Sequence, residues 1–381
     1  MSPAPDWNLV MVRSREARRL LPKRPGTDQI DWGGMRVAHL DTGYTEHPAF
    51  GFGPGATPWL LPADGLNLLA AGPPKDPLDY EGSAGHGTRT CSILCGEAVP
   101  MQHGGPVVSE IGVAPRLPVV PCRIVKRVVL LGEESRAAVA AGIRHAIVRG
   151  CQVVSISLGV PAFPFWAKGG MGRAVDEAYE QGIIVVAAAG QFIDSVCYPG
   201  KYTRCIGVAG VDHTGRIWFG YRAGDPWIDV WAPAKDVLRL DSIAGNPASA
   251  VPPAEADDPA PPGFGSGSDS ESSHSGSSGL GTGTSYATVH VAAAAAMWLR
   301  LRGDDLVAAY GPRSWKWVEA FRWLLRRGRT TRTITPSPPE NRIGAVPTDG
   351  RGILDIRALL SAPLPAAADL TMAEKAKNMH L

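Results

Sequence analysis

From residue 35 onward, short runs of apolar residues alternate with stretches where apolar residues recur every three or four positions. Residues 35–40, 119–125, 153–158, 183–188 and 205–211 are short, largely apolar runs, broken by Arg36, His39, Arg123, Ser155 and Ser157, and read as strands buried in a parallel sheet. Residues 136–148 and 173–181 carry helical spacing and stop before Gly150 and at Gly182. Residues 285–301 are rich in alanine and predict a long buried helix. A further helix, 315–327, places Trp317, Val318, Phe321, Leu324 and Leu325 on one face. Lys316, Arg322, Arg326 and Arg327 fall largely elsewhere, as a solvated basic face. Strands and helices in alternation predict an α/β fold, a mostly parallel sheet with helices on both faces.

Two segments depart from this rhythm. Residues 245–282 are rich in Gly, Ser, Pro and Asp, which predicts an exposed loop with too little apolar surface to fold alone. Residues 363–381 are small and polar and predict a frayed tail. The expected organisation is an N-terminal extension over 1–34, a single domain over 35–362 interrupted by that loop, and the tail.

Charge narrows the function. Lys and Arg total 38 against 36 Asp and Glu, so a formal net charge of +2 provides no field that selects nucleic acid or an anionic membrane. The N-terminal residues lack the continuous apolar core of a secretory signal, and the apolar run 289–299 is interrupted by His290 and too short to span a bilayer. A cytoplasmic location is therefore expected. In a reducing compartment Cys91, Cys95, Cys122, Cys151, Cys197 and Cys205 are expected as buried free thiols; Cys197 and Cys205 could pair if the chain were exported.

Three segments carry candidate chemistry. Asp41 ends the first buried strand, at the strand end where open parallel sheets place functional groups. A carboxylate there can orient an imidazole and stabilise its protonated form. His86 lies between Gly85 and Gly87 at the start of a helical pattern, with the freedom a general base needs. Ser285 opens the alanine-rich helix, beside backbone N–H groups that can hold an oxyanion. Taken singly, each has a plain structural alternative: a strand-end turn, a loop histidine and an N-cap serine.

Together, the three segments resemble the signature segments of the subtilisin-like serine proteases (the subtilases), in the order Asp, His, Ser. The matches are Asp41-Thr42-Gly43 with His47-Pro48; His86-Gly87-Thr88; and Gly283-Thr284-Ser285 with Ala287, His290, Val291 and Ala292. Ser157-Leu158-Gly159 looks like the family's strand for extended substrate, and Ala188-Ala189-Gly190 like a wall of its specificity pocket. Ile228-Asp229-Val230, Ala232-Pro233 and Gly352-Ile353-Leu354-Asp355 extend the resemblance to about residues 35–360. It implies a subtilisin-like three-layer fold, a catalytic triad of Asp41, His86 and Ser285, and a polypeptide substrate.

The chain departs from the family in places. Gln191 stands where an oxyanion-binding asparagine is usual, keeping the amide donor on a side chain one methylene longer. Val289 replaces a proline in the serine segment. Residues 1–34 are too few for the family's long pro-region. The family often binds calcium in loops, but no ligand set is assignable here, so no cofactor is expected. The expected function is a serine endopeptidase, with the loop 245–282 or a regulatory protein partner as candidate restraints. Its rivals are a peptide-processing transpeptidase or macrocyclase on the same triad and a non-catalytic scaffold.

Overall fold

The computed structural model describes residues 4–76, 85–98, 110–130, 132–160, 170–191, 195–218, 225–240, 278–327, 331–332 and 351–379. Its elements run α1 (Trp7–Met11), α2 (Ser14–Arg18), β1 (Val37–Asp41), β2 (Leu66–Asn67), α3 (His86–Cys95), β3 (Val119–Arg123), α4 (Glu133–Val148), β4 (Val153–Ile156), α5 (Gly170–Glu180), β5 (Ile184–Ala188) and β6 (Ile206–Val211). There follow β7 (Ile217–Trp218), β8 (Val230–Pro233), β9 (Val237–Leu240), β10 (Ser278–Gly281), α6 (Thr284–Tyr310), α7 (Trp315–Arg327), β11 (Thr331–Arg332), β12 (Ile353–Leu354) and α8 (Ile356–Ser361).

The apolar runs form one sheet in the order β11-β12-β8-β6-β5-β4-β1-β3-β2, with β7 pairing β6 from the side. Every pair from β12 to β2 is parallel. Strands β1 and β3 to β6 are buried at every position, because helices cover both faces. On one face α6 crosses β4, β5, β6 and β8 and packs against α3, α7 and α8. The side chains of Ala292 to Ala296 are fully buried, and their small size brings α6 close to the sheet. On the other face α4 packs on β1, α5 on β5, and the two helices on each other.

The strand order reverses around β1. Its neighbours β3 and β4 lead the chain in opposite directions, which opens a crevice at the strands' C-terminal ends. Register then decides what faces it. Leu40 lies beside Ile156 and Ile156 beside Ala187, so Asp41, Ser157 and Ala188 end adjacent strands side by side.

Several expectations change. The helix opened by the serine segment runs to Tyr310, well beyond 301. Arg322 is buried rather than part of a solvated basic face: it pairs with Glu319 and Asp229, and Arg326 also pairs with Asp229. The C-terminal segment is anchored, not frayed. Leu370 and Ala376 are buried, the Asp176 carboxylate accepts the Ala376 and Lys377 N–H groups, and Tyr198 donates to the Met379 carbonyl. The N-terminal residues also enter the core through Trp7, Leu9, Val12 and Trp32. Asn8 there donates to Nε2 of buried His290, whose Nδ1–H is held by the Tyr286 carbonyl. Burial pushes the His290 pKa down to about 4, so this ring is neutral and structural.

Most of the Gly- and Ser-rich loop falls on residues 241–277, outside the described residues. Its last residues are a strand: β10 pairs antiparallel with β9. All six cysteines are free and buried, with Cys91 and Cys95 Sγ 3.7 Å apart on α3. Burial raises the Cys151 and Cys197 thiols to about 12, which makes them poor nucleophiles at neutral pH. Among the described residues no helix is long and apolar enough to cross a membrane.

Candidate active site

Asp41 and His86 form a buried pair. His86 Nδ1 lies 2.8 Å from Asp41 Oδ1, which also accepts the Thr42 N–H at 2.7 Å. Because the carboxylate only accepts, the proton of a neutral His86 ring sits on Nδ1, leaving Nε2 as the basic nitrogen. Burial pushes the Asp41 carboxyl pKa up, but the charge and hydrogen bond of His86, with His39 and the Thr42 N–H, outweigh it and leave Asp41 below the ordinary carboxylate value. It is therefore ionised at neutral pH.

The local sequence explains the approach. His86 is the first residue of α3, and Gly85 before it takes φ 76°, a left-handed turn that suits glycine. Gly87 has no room for a side chain: a Cβ there would lie 2.1 Å from the Gly43 carbonyl oxygen. The glycines of the Asp-Thr-Gly and His-Gly-Thr segments thus let the two backbones touch.

Neither Asp76 nor Thr90 stood out in the sequence. The buried Asp76 Oδ2 accepts the Thr42 hydroxyl and the Gly85 N–H, both at 2.7 Å, and Thr42 Oγ1 accepts the Gly87 N–H at 3.0 Å. Asp76 thereby ties the turn after Asp41 to the residues on either side of His86. Thr90, one turn beyond His86, contacts Asp41 Oδ2 at 3.2 Å and His39 Nε2 at 2.9 Å. Its i+4 spacing from His86 was the available signal.

We expect Asp76→Ala to lower kcat about ten- to a hundredfold with KM little changed, the size of effect that a small misplacement of a catalytic group produces. Asp76→Asn keeps an oxygen for both donors and should restore most of the rate. Steady-state kinetics on a peptide substrate checks this; equal losses in both variants would contradict it.

Ser285 is the second residue of α6 and exchanges hydrogen bonds with Ser157. Its hydroxyl donates to the Ser157 carbonyl at 3.2 Å, and the Ser157 hydroxyl donates to the Ser285 carbonyl at 3.1 Å. The described bond of the Ser285 hydroxyl thus runs to Ser157 and not to His86. Sheet register nevertheless puts Ser157 beside Asp41, so the two halves of the site share the crevice. Rotation about χ1 is the movement that would redirect the hydroxyl.

Gln191 follows β5, and its Oε1 accepts the Thr284 N–H at 2.9 Å. With the oxygen committed to the residue before Ser285, the amide NH2 remains as the donor end. A Cβ at Gly283 would stand 3.0 Å from Gln191 Oε1, so the longer side chain rests against a glycine. Thr284 Oγ1 also donates to the Gly190 carbonyl at 3.2 Å.

The remaining candidates divide. Ala188 and Ala189 are buried at the end of β5, with the Ala189 carbonyl already accepting the Cys197 N–H. Leu158 is buried, and both backbone groups of Gly159 are paired with residues 128 and 130. His47 accepts the Ala49 N–H and caps a short helix, and burial lowers its pKa to about 4. Among the described residues no cluster of three or more His, Cys, Asp or Glu could hold a metal.

Comparison with known proteins places the family and the fold. The thermostable alkaline protease of Halalkalibacterium halodurans is 27% identical over 232 residues, 61% of this chain and 54% of that protein. Subtilisin BL of Lederbergia lenta is 30% identical over 210 residues, 54% of this chain and 65% of that protein. The matches thus span between half and two thirds of these relatives.

Among solved structures, MycP1 with its N-terminal propeptide removed superposes with a TM-score of 0.59 at 21% identity, covering 96% of this chain and 100% of that one. A mutant of the protease domain of PatA gives 0.54 at 21%, covering 86% and 94%. At these identities the structures speak to the fold, which is shared. A family model described as the subtilase family, Peptidase_S8, matches residues 33–332. By that match, and with the mostly parallel sheet and helical layers just described, this chain belongs to the subtilase family.

Proposed function

We propose that this chain is a serine endopeptidase that hydrolyses peptide bonds through an acyl-enzyme. The observation that carries the reading is the buried Asp41–His86 hydrogen bond at 2.8 Å, formed at the strand ends beside which Ser157 holds Ser285.

In the proposed reaction Ser285 Oγ leaves the Ser157 carbonyl, gives its proton to His86 Nε2 and attacks the substrate carbonyl. The electron pair displaced from the C=O bond resides on the oxyanion, which takes hydrogen bonds from the Ser285 N–H and the Gln191 amide. The imidazolium, stabilised by Asp41, returns the proton to the departing amine as the C–N bond breaks. Water then attacks the acyl group, with His86 again as base, and the free acid leaves. No step calls for a cofactor, and the substrate is a polypeptide.

The test is the mass of the products from a synthetic peptide. Hydrolysis yields fragments that together weigh one water more than the substrate, and Ser285→Ala should yield none. A ring-closed product lacking the leaving segment would instead assign the transpeptidase reaction to the same serine.

A further inference from the structure

The backbone beyond Ser157 is already paired. Beyond β4 the chain forms bridges again at Gly159 and Val160, and in an extended chain residues 157 and 159 direct their backbone groups to the same edge. At Ser157 that edge meets the nucleophile, through the bond from the Ser285 hydroxyl. At Gly159 it meets residues 128–130: the Gly159 N–H donates to the Val128 carbonyl at 3.1 Å, and the Leu130 N–H donates to the Gly159 carbonyl at 2.9 Å. Val129 and Gly159 form a parallel bridge. Val160 uses the opposite edge, pairing with Tyr198 in both directions.

We propose that residues 128–130 are a strap on the substrate-binding edge, and that an extended peptide engages Gly159 only by displacing it. The inference rests on the reading of Ser285 as nucleophile. A substrate whose carbonyl reaches Ser285 at Ser157, and which binds by adding a strand as the resemblance implies, runs along the 157–159 backbone. There it would make the two main-chain hydrogen bonds the strap now makes, so the exchange is nearly balanced in hydrogen bonds.

What resists the exchange is Leu130. Its side chain is fully buried in a cluster with Val125, Leu158 and Val160. The residues before it are more open. Lys126 and Arg127 are exposed, Val129 is half-buried, and all three line an open cavity of ≈ 980 Å³ together with Leu68, Leu69 and Ala138. The strap therefore has an anchored end and, beside it, open space into which the segment can move. It selects by length. An acyl group that reaches only Ser157 leaves the strap in place, whereas a longer peptide must open it and loses apparent affinity in proportion to the rarity of the open state.

The test compares two substrates, a tetrapeptide amide and a blocked single-residue ester, on the native chain and on Leu130→Ala. Removing the anchor should raise kcat/KM for the tetrapeptide about tenfold relative to the ester, while the ester rate stays unchanged. An unchanged ratio in a folded variant overturns the proposal. Should Leu130→Ala fail to fold, the native chain decides: a crystal structure with a tetrapeptide aldehyde on Ser285 should show Gly159 bonded to the peptide and the Leu130–Gly159 bond open. A seated peptide with that bond intact overturns the strap. Ser285-dependent labelling by a fluorophosphonate runs as the control. If labelling is absent, the nucleophile reading fails and the strap falls with it; if labelling is present and the ratio unchanged, the strap alone fails.

Discussion

Asp41→Asn is expected to lower kcat about ten-thousandfold while leaving KM and thermal stability close to native, the loss seen when a serine-protease triad has its carboxylate turned into an amide. The cause is the tautomer. Asp41 Oδ1 now accepts from both His86 Nδ1 and the Thr42 N–H. With its oxygen in the Oδ1 place an asparagine keeps both bonds and loses only the charge; the full loss follows when its NH2 takes that place and donates to the ring. Nδ1 then becomes an acceptor, the ring proton moves to Nε2, and the base is lost. The charge that would stabilise the imidazolium disappears as well. Size and shape are conserved, so the buried site should still fold. Steady-state kinetics with a thermal melt checks both halves; a loss below tenfold would show that His86 does not work through Asp41.

Gln191→Ala should lower kcat about a hundred- to thousandfold, the cost subtilisin incurs when it loses its oxyanion amide. The Thr284 N–H holds the Gln191 oxygen, so truncation removes the proposed oxyanion donor and also frees an N–H of the first turn of α6. Gln191→Asn keeps both ends of the amide but shortens the reach by one methylene, so an intermediate rate is expected. Comparing kcat for the three side chains on one peptide settles the role. A native rate in Gln191→Ala would leave the oxyanion to backbone N–H groups alone.

Much of the framework was legible in the sequence because burial on both sheet faces writes itself as largely apolar runs. The strands ending in Asp41 and Ala188 follow directly from that. Helix ends were less legible. Past residue 301, Arg302, Asp304 and Asp305 interrupt the apolar pattern, yet α6 continues through them with an exposed face to Tyr310.

Contacts between distant segments left no local signal. Asp76 looks like any turn aspartate until the fold brings Thr42 and Gly85 to its oxygen. Arg322 looked like a surface charge because its partner Asp229 lies almost a hundred residues away. The anchors of the C-terminal segment, Leu370 and Ala376, are single apolar residues without period. At the site, the residue types of Asp41, His86 and Ser285 were readable, but the present bond from Ser285 to Ser157 was not, since it depends on a rotamer.

The proposed reaction requires Ser285 to be an activated nucleophile served by His86 and Asp41. Labelling with a fluorophosphonate tests it most directly, on the native chain beside Ser285→Ala and His86→Ala. The native chain should be labelled covalently at Ser285, Ser285→Ala not at all, and His86→Ala far more slowly. Labelling that persists in Ser285→Ala, or a native chain that stays unlabelled while folded, would contradict it.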